Sequence, residues 1–231
     1  MNLHRKLVAE LLGTALLLAT VVGSGVMGSA LANGNNALAL LANAFATAGI
    51  LYVLISTLGP ISGAHFNPAV TLAMRLHGEM SNRDTTAYIA VQIVGAFAGV
   101  ILAHAMFGLA LIQPGTHVRT GGAMWLSEAV ATYGLLLTIL LGRRYRPTAI
   151  PGLVASYIFA AYWFTASTSF ANPAVTLARA LTQTFSGIRP QDVAGFVISQ
   201  LAGALAGCIS STAIIPFGSG IPTTQTPSAT E

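Results

Sequence analysis

The heptapeptide Asn67-Pro68-Ala69-Val70-Thr71-Leu72-Ala73 returns 105 residues later as Asn172-Pro173-Ala174-Val175-Thr176-Leu177-Ala178. Two further pairs keep nearly the same distance. Glu10-Leu-Leu-Gly-Thr14 matches Glu128-Ala-Val-Ala-Thr132 at an offset of 118, and Gln92-Ile-Val-Gly-Ala-Phe-Ala-Gly99 matches Gln200-Leu-Ala-Gly-Ala-Leu-Ala-Gly207 at an offset of 108. Such a chain has to fold as one structural unit built twice, and the relation between the copies depends on how often each crosses its surroundings.

Those surroundings are apolar. Of 231 residues, 54% are hydrophobic and 7% charged, a balance that marks a polytopic membrane protein. Six long apolar segments can be marked, at 7–27, 38–58, 86–112, 124–142, 150–168 and 193–215. All are expected to be helices, because lipid offers the backbone no hydrogen-bond partners. Each copy of the heptapeptide lies between the second and third span of its half. Three spans per unit is an odd number, so the second copy enters from the opposite face, giving an inverted repeat. The expected architecture is all-α, with six transmembrane helices and two half-helices. Residues 7–112 form the first repeat with a half-helix at 67–77, and residues 123–215 form the second with a half-helix at 172–182.

His4-Arg5-Lys6 ahead of an apolar run imitates a signal peptide, with Ala30-Leu31-Ala32 as the cleavage site. The run is about 20 residues, long enough to span, and holds Glu10, which has its counterpart at Glu128. It is read as a retained span, preceded by a short N-terminus at 1–6. With that terminus inside, the cytoplasmic segments carry Arg5, Lys6, Arg75, Arg83, Arg143, Arg144 and Arg146, and the outer ones Arg119, Arg179 and Arg189. This excess places both termini in the cytoplasm. Residues 216–231, rich in Pro, Thr and Ser, read as a disordered cytoplasmic tail.

Several function classes drop out. The net charge of +4 comes from ten scattered Lys and Arg with no basic run among stacking aromatics, so nucleic acid is not an expected partner. One cysteine, Cys208, allows no intrachain disulfide or CxxC pattern, and the five histidines lack metal-ligand spacing, so no metal or cofactor is expected. No catalytic constellation is visible.

Asn followed by Pro is a good helix start, with Asn at the N-cap and Pro at the first helical position. Ten residues make about 15 Å of helix, half a bilayer core. Inverted by the repeat, the two half-helices meet N-terminus to N-terminus. Asn67, Pro68, Ala69, Asn172, Pro173 and Ala174 then form a polar junction. Each Asn oxygen is expected to accept from a first-turn N–H such as those of Val70 and Val175, leaving its NH₂ to donate to a passing solute oxygen. Glu10 and Glu128 read as braces for the half-helix loops in preference to proton relays, and His65 either gates the passage or packs in the loop. Gly95 with Gly99, and Gly203 with Gly207, fit close helix packing.

Ser62-Gly63-Ala64-His65-Phe66 before the first Asn-Pro-Ala, the second Asn-Pro-Ala, the paired Glu spans and the doubled six-span pattern resemble the aquaporin and aquaglyceroporin superfamily. The resemblance covers about residues 6–215. It implies a passive channel for small uncharged solutes and water, one pore per protomer, in a homotetramer embedded in the bilayer. It also implies a second constriction at Thr47, Ala160, Ser169 and Val175, with Phe159 or Ala161 as alternatives to Ala160 for the span-five position. The superfamily usually carries Arg where this chain has Val175, so the constriction is expected to be wide, without a bulky aromatic. Arg179, one turn further on, either lines the vestibule or snorkels to the interface. The Val resembles a bacterial branch associated with arsenic resistance, which implies an inner-membrane location and passage of glycerol-like polyols, metalloid hydroxides such as arsenous acid, and methylated arsenicals. An ion-coupled secondary transporter and a closed-pore packing protein are the competing readings.

Overall fold

The computed structural model describes residues 1–215; the tail expected at 216–231 lies outside them. Among the described residues there are eight α-helices and no strand. In chain order these are α1 (Leu3–Leu31), α2 (Asn36–Ser62), α3 (Pro68–Leu76), α4 (Asn82–Met106), α5 (Gly122–Tyr145), α6 (Ile150–Phe164), α7 (Pro173–Arg179) and α8 (Val193–Ile214).

Five of them are long and apolar enough to cross a membrane. The exception among the six expected spans is α6, of 15 residues. A single 3₁₀ turn at Pro147–Ala149 leads directly into it, and together they reach about 28 Å, close to a hydrocarbon core.

Capping fixes the ends. Asn2, Asn35 and Ser81 each accept from the backbone N–H three residues on, at 3.1, 3.1 and 3.0 Å. Two spans stop earlier than hydropathy suggests. α4 ends at Met106 instead of 112, where Gly108 turns left-handed (φ +64°). α6 ends at Phe164 instead of 168, because Thr165 is already extended. The half-helices are also shorter than 67–77 and 172–182. α7 stops at Arg179 because the following chain folds back on it: Ile188 N–H donates to the Arg179 carbonyl, and the carbonyls of Ala180 and Leu181 accept from Gly115 and Gln113.

Helix packing follows the repeat. α4 lies against α1 through Gly95 and Gly99, where a Cβ would meet the carbonyl oxygens of Leu11 and Ala15. α8 lies against α5 in the same way, Gly203 facing the Ala129 carbonyl and Gly207 the Leu136 side chain. Without a hydrophobic drive between helices in lipid, close backbone approach supplies the packing. Large apolar side chains such as Phe45, Leu126 and Ile198 point outward, as a lipid-facing surface requires.

Candidate functional site

The two half-helix starts define the middle of the molecule. Asn67 caps α3 by accepting from Ala69 N–H at 2.9 Å, and Asn172 caps α7 by accepting from Ala174 at 3.0 Å and Val175 at 3.3 Å. Val70, the donor expected for Asn67, is replaced by Ala69. The amide nitrogens are partly committed as well. Asn67 Nδ2 donates to the Ala171 carbonyl at 2.7 Å and Asn172 Nδ2 to the Phe66 carbonyl at 2.8 Å. Each copy thus grips the loop of the other, and each NH₂ keeps one hydrogen for the cavity that both Asn line.

These crossed bonds require an unusual backbone. Phe66 and Ala171, immediately before the Asn, have φ of +46° and +48°, and Ala64 and Ser169, three before, both have +50°. Left-handed conformations in non-glycine residues cost about 1–3 kcal/mol each and persist only where the surroundings enforce them. Enforcement comes from the buried carboxylates. Glu10 accepts from Ser62 Oγ (2.7 Å), His65 N–H (2.9 Å), Phe66 N–H (2.7 Å) and Gln92 Nε2 (2.8 Å). Glu128 accepts from Phe170 N–H and Ala171 N–H, both at 2.9 Å, and Gln200 Nε2 at 2.6 Å. The same glutamines donate to Thr71 and Thr176 of the heptapeptides. The repeated Glu, Gln and Thr therefore form one hydrogen-bonded bracket per copy. No sequence signal marked the glutamines or threonines beyond their recurrence.

A narrow cavity runs through the junction. Its lining mixes apolar groups, among them Leu17, Val21, Leu51, Ile55, Leu135, Val154 and Ile158, with the polar groups of His65, Asn67, Asn172, Ser169, Thr47, Tyr162 and Arg179. His65 borders both this cavity and a polar vestibule with Lys6, Asp84, Glu79 and Arg143, and its Nδ1 lies 3.0 Å from Thr71 Oγ1. A half-exposed ion pair, Arg143 to Glu79 at 2.6 Å, stands at that mouth.

At the opposite mouth the cavity is lined by Thr47, Ser169 and Val175, but not by Ala160. Ala160 is on the exposed face of α6. The aromatic Tyr162 takes the place, with its hydroxyl 3.2 Å from Thr47 Oγ1. The register is two residues later than expected because α6 stops at Phe164 and the left-handed loop then covers the remaining distance to Asn172. Phe159 and Ala161 do not line the cavity either. The mouth is accordingly not free of bulky side chains, and Arg179 adds to it. Far from snorkelling to an interface, Arg179 is 2% exposed, borders the cavity and donates from Nε to the Ser186 carbonyl. Nearby His117 is held below its ordinary pKa by burial and then by the charges of Arg119 and Arg179.

Six spanning elements with two opposed half-helices around an uncharged waist define a membrane channel of inverted-repeat type. Residues 1–146 match the Major intrinsic protein family, and the chain belongs to that family. It is 59% identical over 204 residues to "Aquaglyceroporin AqpS" of Rhizobium meliloti (strain 1021), covering 88% of this chain and 87% of the relative. It is 32% identical over 181 residues to "Probable aquaporin AqpM" of Archaeoglobus fulgidus, covering 68% and 72%. The X-ray structure of the aquaglyceroporin from Plasmodium falciparum superposes with a TM-score of 0.71 at 17% identity, covering 91% of this chain and 94% of that one, which shows a common fold. The protein is a multi-pass membrane channel and not a catalyst.

Proposed function

We propose that the channel conducts glycerol-like polyols and water, together with uncharged metalloid hydroxides such as arsenous acid and methylated arsenicals. The observation that carries this reading is a cavity lining that is mostly apolar with a few polar groups among it. A polyol presents both C–H groups and hydroxyls, which suits a passage whose wall combines Leu, Val and Ile with Asn, Ser and Tyr. An ion would have to shed its water against the apolar groups, at a cost of several kcal/mol. Thr47, Tyr162, Ser169 and Val175 form the size-selecting ring, and Asn67 and Asn172 the polar waist with Pro68, Ala69, Pro173 and Ala174 starting the helices behind it. Glu10, Glu128 and His65 hold the half-helix loops. Similarity to an aquaglyceroporin of a bacterium supports the polyol class; the metalloid substrates rest on Val175.

Coupled transport is the weaker reading. It needs an acid or ion site that can change state, and within the spans Glu10 and Glu128 already accept three or four hydrogen bonds each. The excess of Arg and Lys on the Lys6 and Arg143 side supports cytoplasmic termini in a bacterial inner membrane. Assembly into a homotetramer rests on the family resemblance alone.

The test is Val175→Arg in proteoliposomes, followed by light scattering under water and glycerol gradients. Glycerol permeability should fall about tenfold and water permeability much less, because a long side chain enters a ring that already holds Tyr162. Equal losses, or no loss in either, would show that the ring is elsewhere.

A further inference from the structure

Two arginines share one aromatic ring at the mouth beyond Tyr162. Arg179 ends α7, four residues and thus one turn, about 5.4 Å, past Val175. Its guanidinium carbon lies 3.4 Å from the Phe170 ring centroid, and that of Arg119, from the connection between α4 and α5, lies 5.1 Å from the same centroid. Arg119 also donates from Nε to the Gly187 carbonyl (2.9 Å) and from Nη1 to the Ser167 carbonyl (3.2 Å), tying together the chain on either side of α7. Among the described residues neither guanidinium has a carboxylate within ion-pair distance.

Arg179 is the more telling of the two. It is almost fully buried, yet the only hydrogen bond of its side chain among the described residues runs from Nε to the Ser186 carbonyl, so four N–H groups on its two terminal nitrogens have no protein acceptor. Beside it on the cavity wall, the buried hydroxyl of Ser169 has no partner either. Buried polar groups left open on a passage are expected to meet their partners in what passes.

We propose that Arg179 is the specificity-determining residue of this mouth: its terminal N–H groups and Ser169 Oγ bind the oxygens of an uncharged polyol, its unpaired charge repels cations, and Arg119 positions it through Phe170. Size selection at Tyr162 and charge selection at Arg179 then occupy two layers one helical turn apart. The inference rests on the channel reading and adds which residue carries the charge barrier that Val175 cannot supply.

The experiment compares wild type, Arg179→Gln, Arg179→Lys and Arg119→Gln in proteoliposomes, measuring glycerol permeability and, in the same vesicles, potassium and proton leak with an ion-sensitive dye. The ratio of cation leak to glycerol permeability should rise about tenfold or more in Arg179→Gln, equivalent to about 1.4 kcal/mol of lost barrier. It should stay near the wild-type ratio in Arg179→Lys, which keeps the charge, and rise roughly threefold in Arg119→Gln, which weakens the field at the mouth. A ratio within about twofold of wild type in Arg179→Gln overturns the proposal. If that variant fails to insert, an unchanged ratio in Arg119→Gln overturns it instead. Wild-type vesicles that pass no glycerol would refute the channel reading itself, and this inference with it.

Discussion

Glu10→Ala should leave almost no folded protein in detergent extracts. The carboxylate is fully buried and serves four donors, two of them backbone N–H groups that have no other acceptor in the loop. Each buried donor left unmade costs about 1–3 kcal/mol, so the total is about 4–12 kcal/mol. That is comparable to the whole stability of a typical domain, about 5–15 kcal/mol. The loss is compounded because Ala64 and Phe66 would relax from their left-handed conformations, carrying the Phe66 carbonyl away from Asn172. Glu10→Gln should be milder, since one amide oxygen still accepts. Size-exclusion recovery and the melting of intrinsic fluorescence read the effect. A Glu10→Ala protein melting within about 3 °C of wild type would show that the bracket contributes little.

Gly203→Leu should be nearly as damaging for a different reason. A Cβ there would overlap the carbonyl oxygen of Ala129 in α5. A helix backbone oxygen cannot move aside as a side chain can, so α5 and α8 would have to separate, at a cost of about 3 kcal/mol or more. Gly152→Ala in α6 is the matched control, because its Cβ would meet nothing within 4 Å. The control should change stability by no more than about 1 kcal/mol. Equal melting temperatures for both variants would contradict close packing at this seam.

The repeat was legible in the sequence because each of its signals is a local rule. Asn before Pro caps a helix wherever it occurs, and a charged Glu inside a span demands hydrogen-bond donors. Gly95 and Gly99 at a four-residue spacing announce a close approach, and the structure places Leu11 and Ala15 carbonyls against them. What remained hidden depends on loop conformation and on which way an apolar helix faces. In a soluble helix an apolar stripe against a polar outer face would have marked the inward side of α6. Here lipid and core are both apolar, and counting back from Asn172 gives Ala160 only if the intervening loop has ordinary geometry. Left-handed Thr168, Ser169 and Ala171 break that assumption. Tyr162 carried one usable clue, a hydroxyl, one of three in α6 with Ser156 and Tyr157, that needs a partner and finds Thr47. For Arg179 the i+4 spacing gave the correct face but not the depth. Its burial follows from the chain at 180–188 folding back over it, anchored by His104 Nε2 to Thr182 Oγ1 at 2.8 Å, a contact 78 residues long in sequence.

The central claim is that solutes diffuse through an open path and are not carried. The initial rate of glycerol entry into proteoliposomes tests it when followed from below to far above about 1 mM, the upper end of ordinary KM values. The account predicts a straight line, the same at about pH 6 and about pH 8 and with or without sodium, because no carboxylate lines the central cavity and Glu10 and Glu128 are held by buried hydrogen bonds. A rate that saturates, or that needs a proton or sodium gradient, would contradict it.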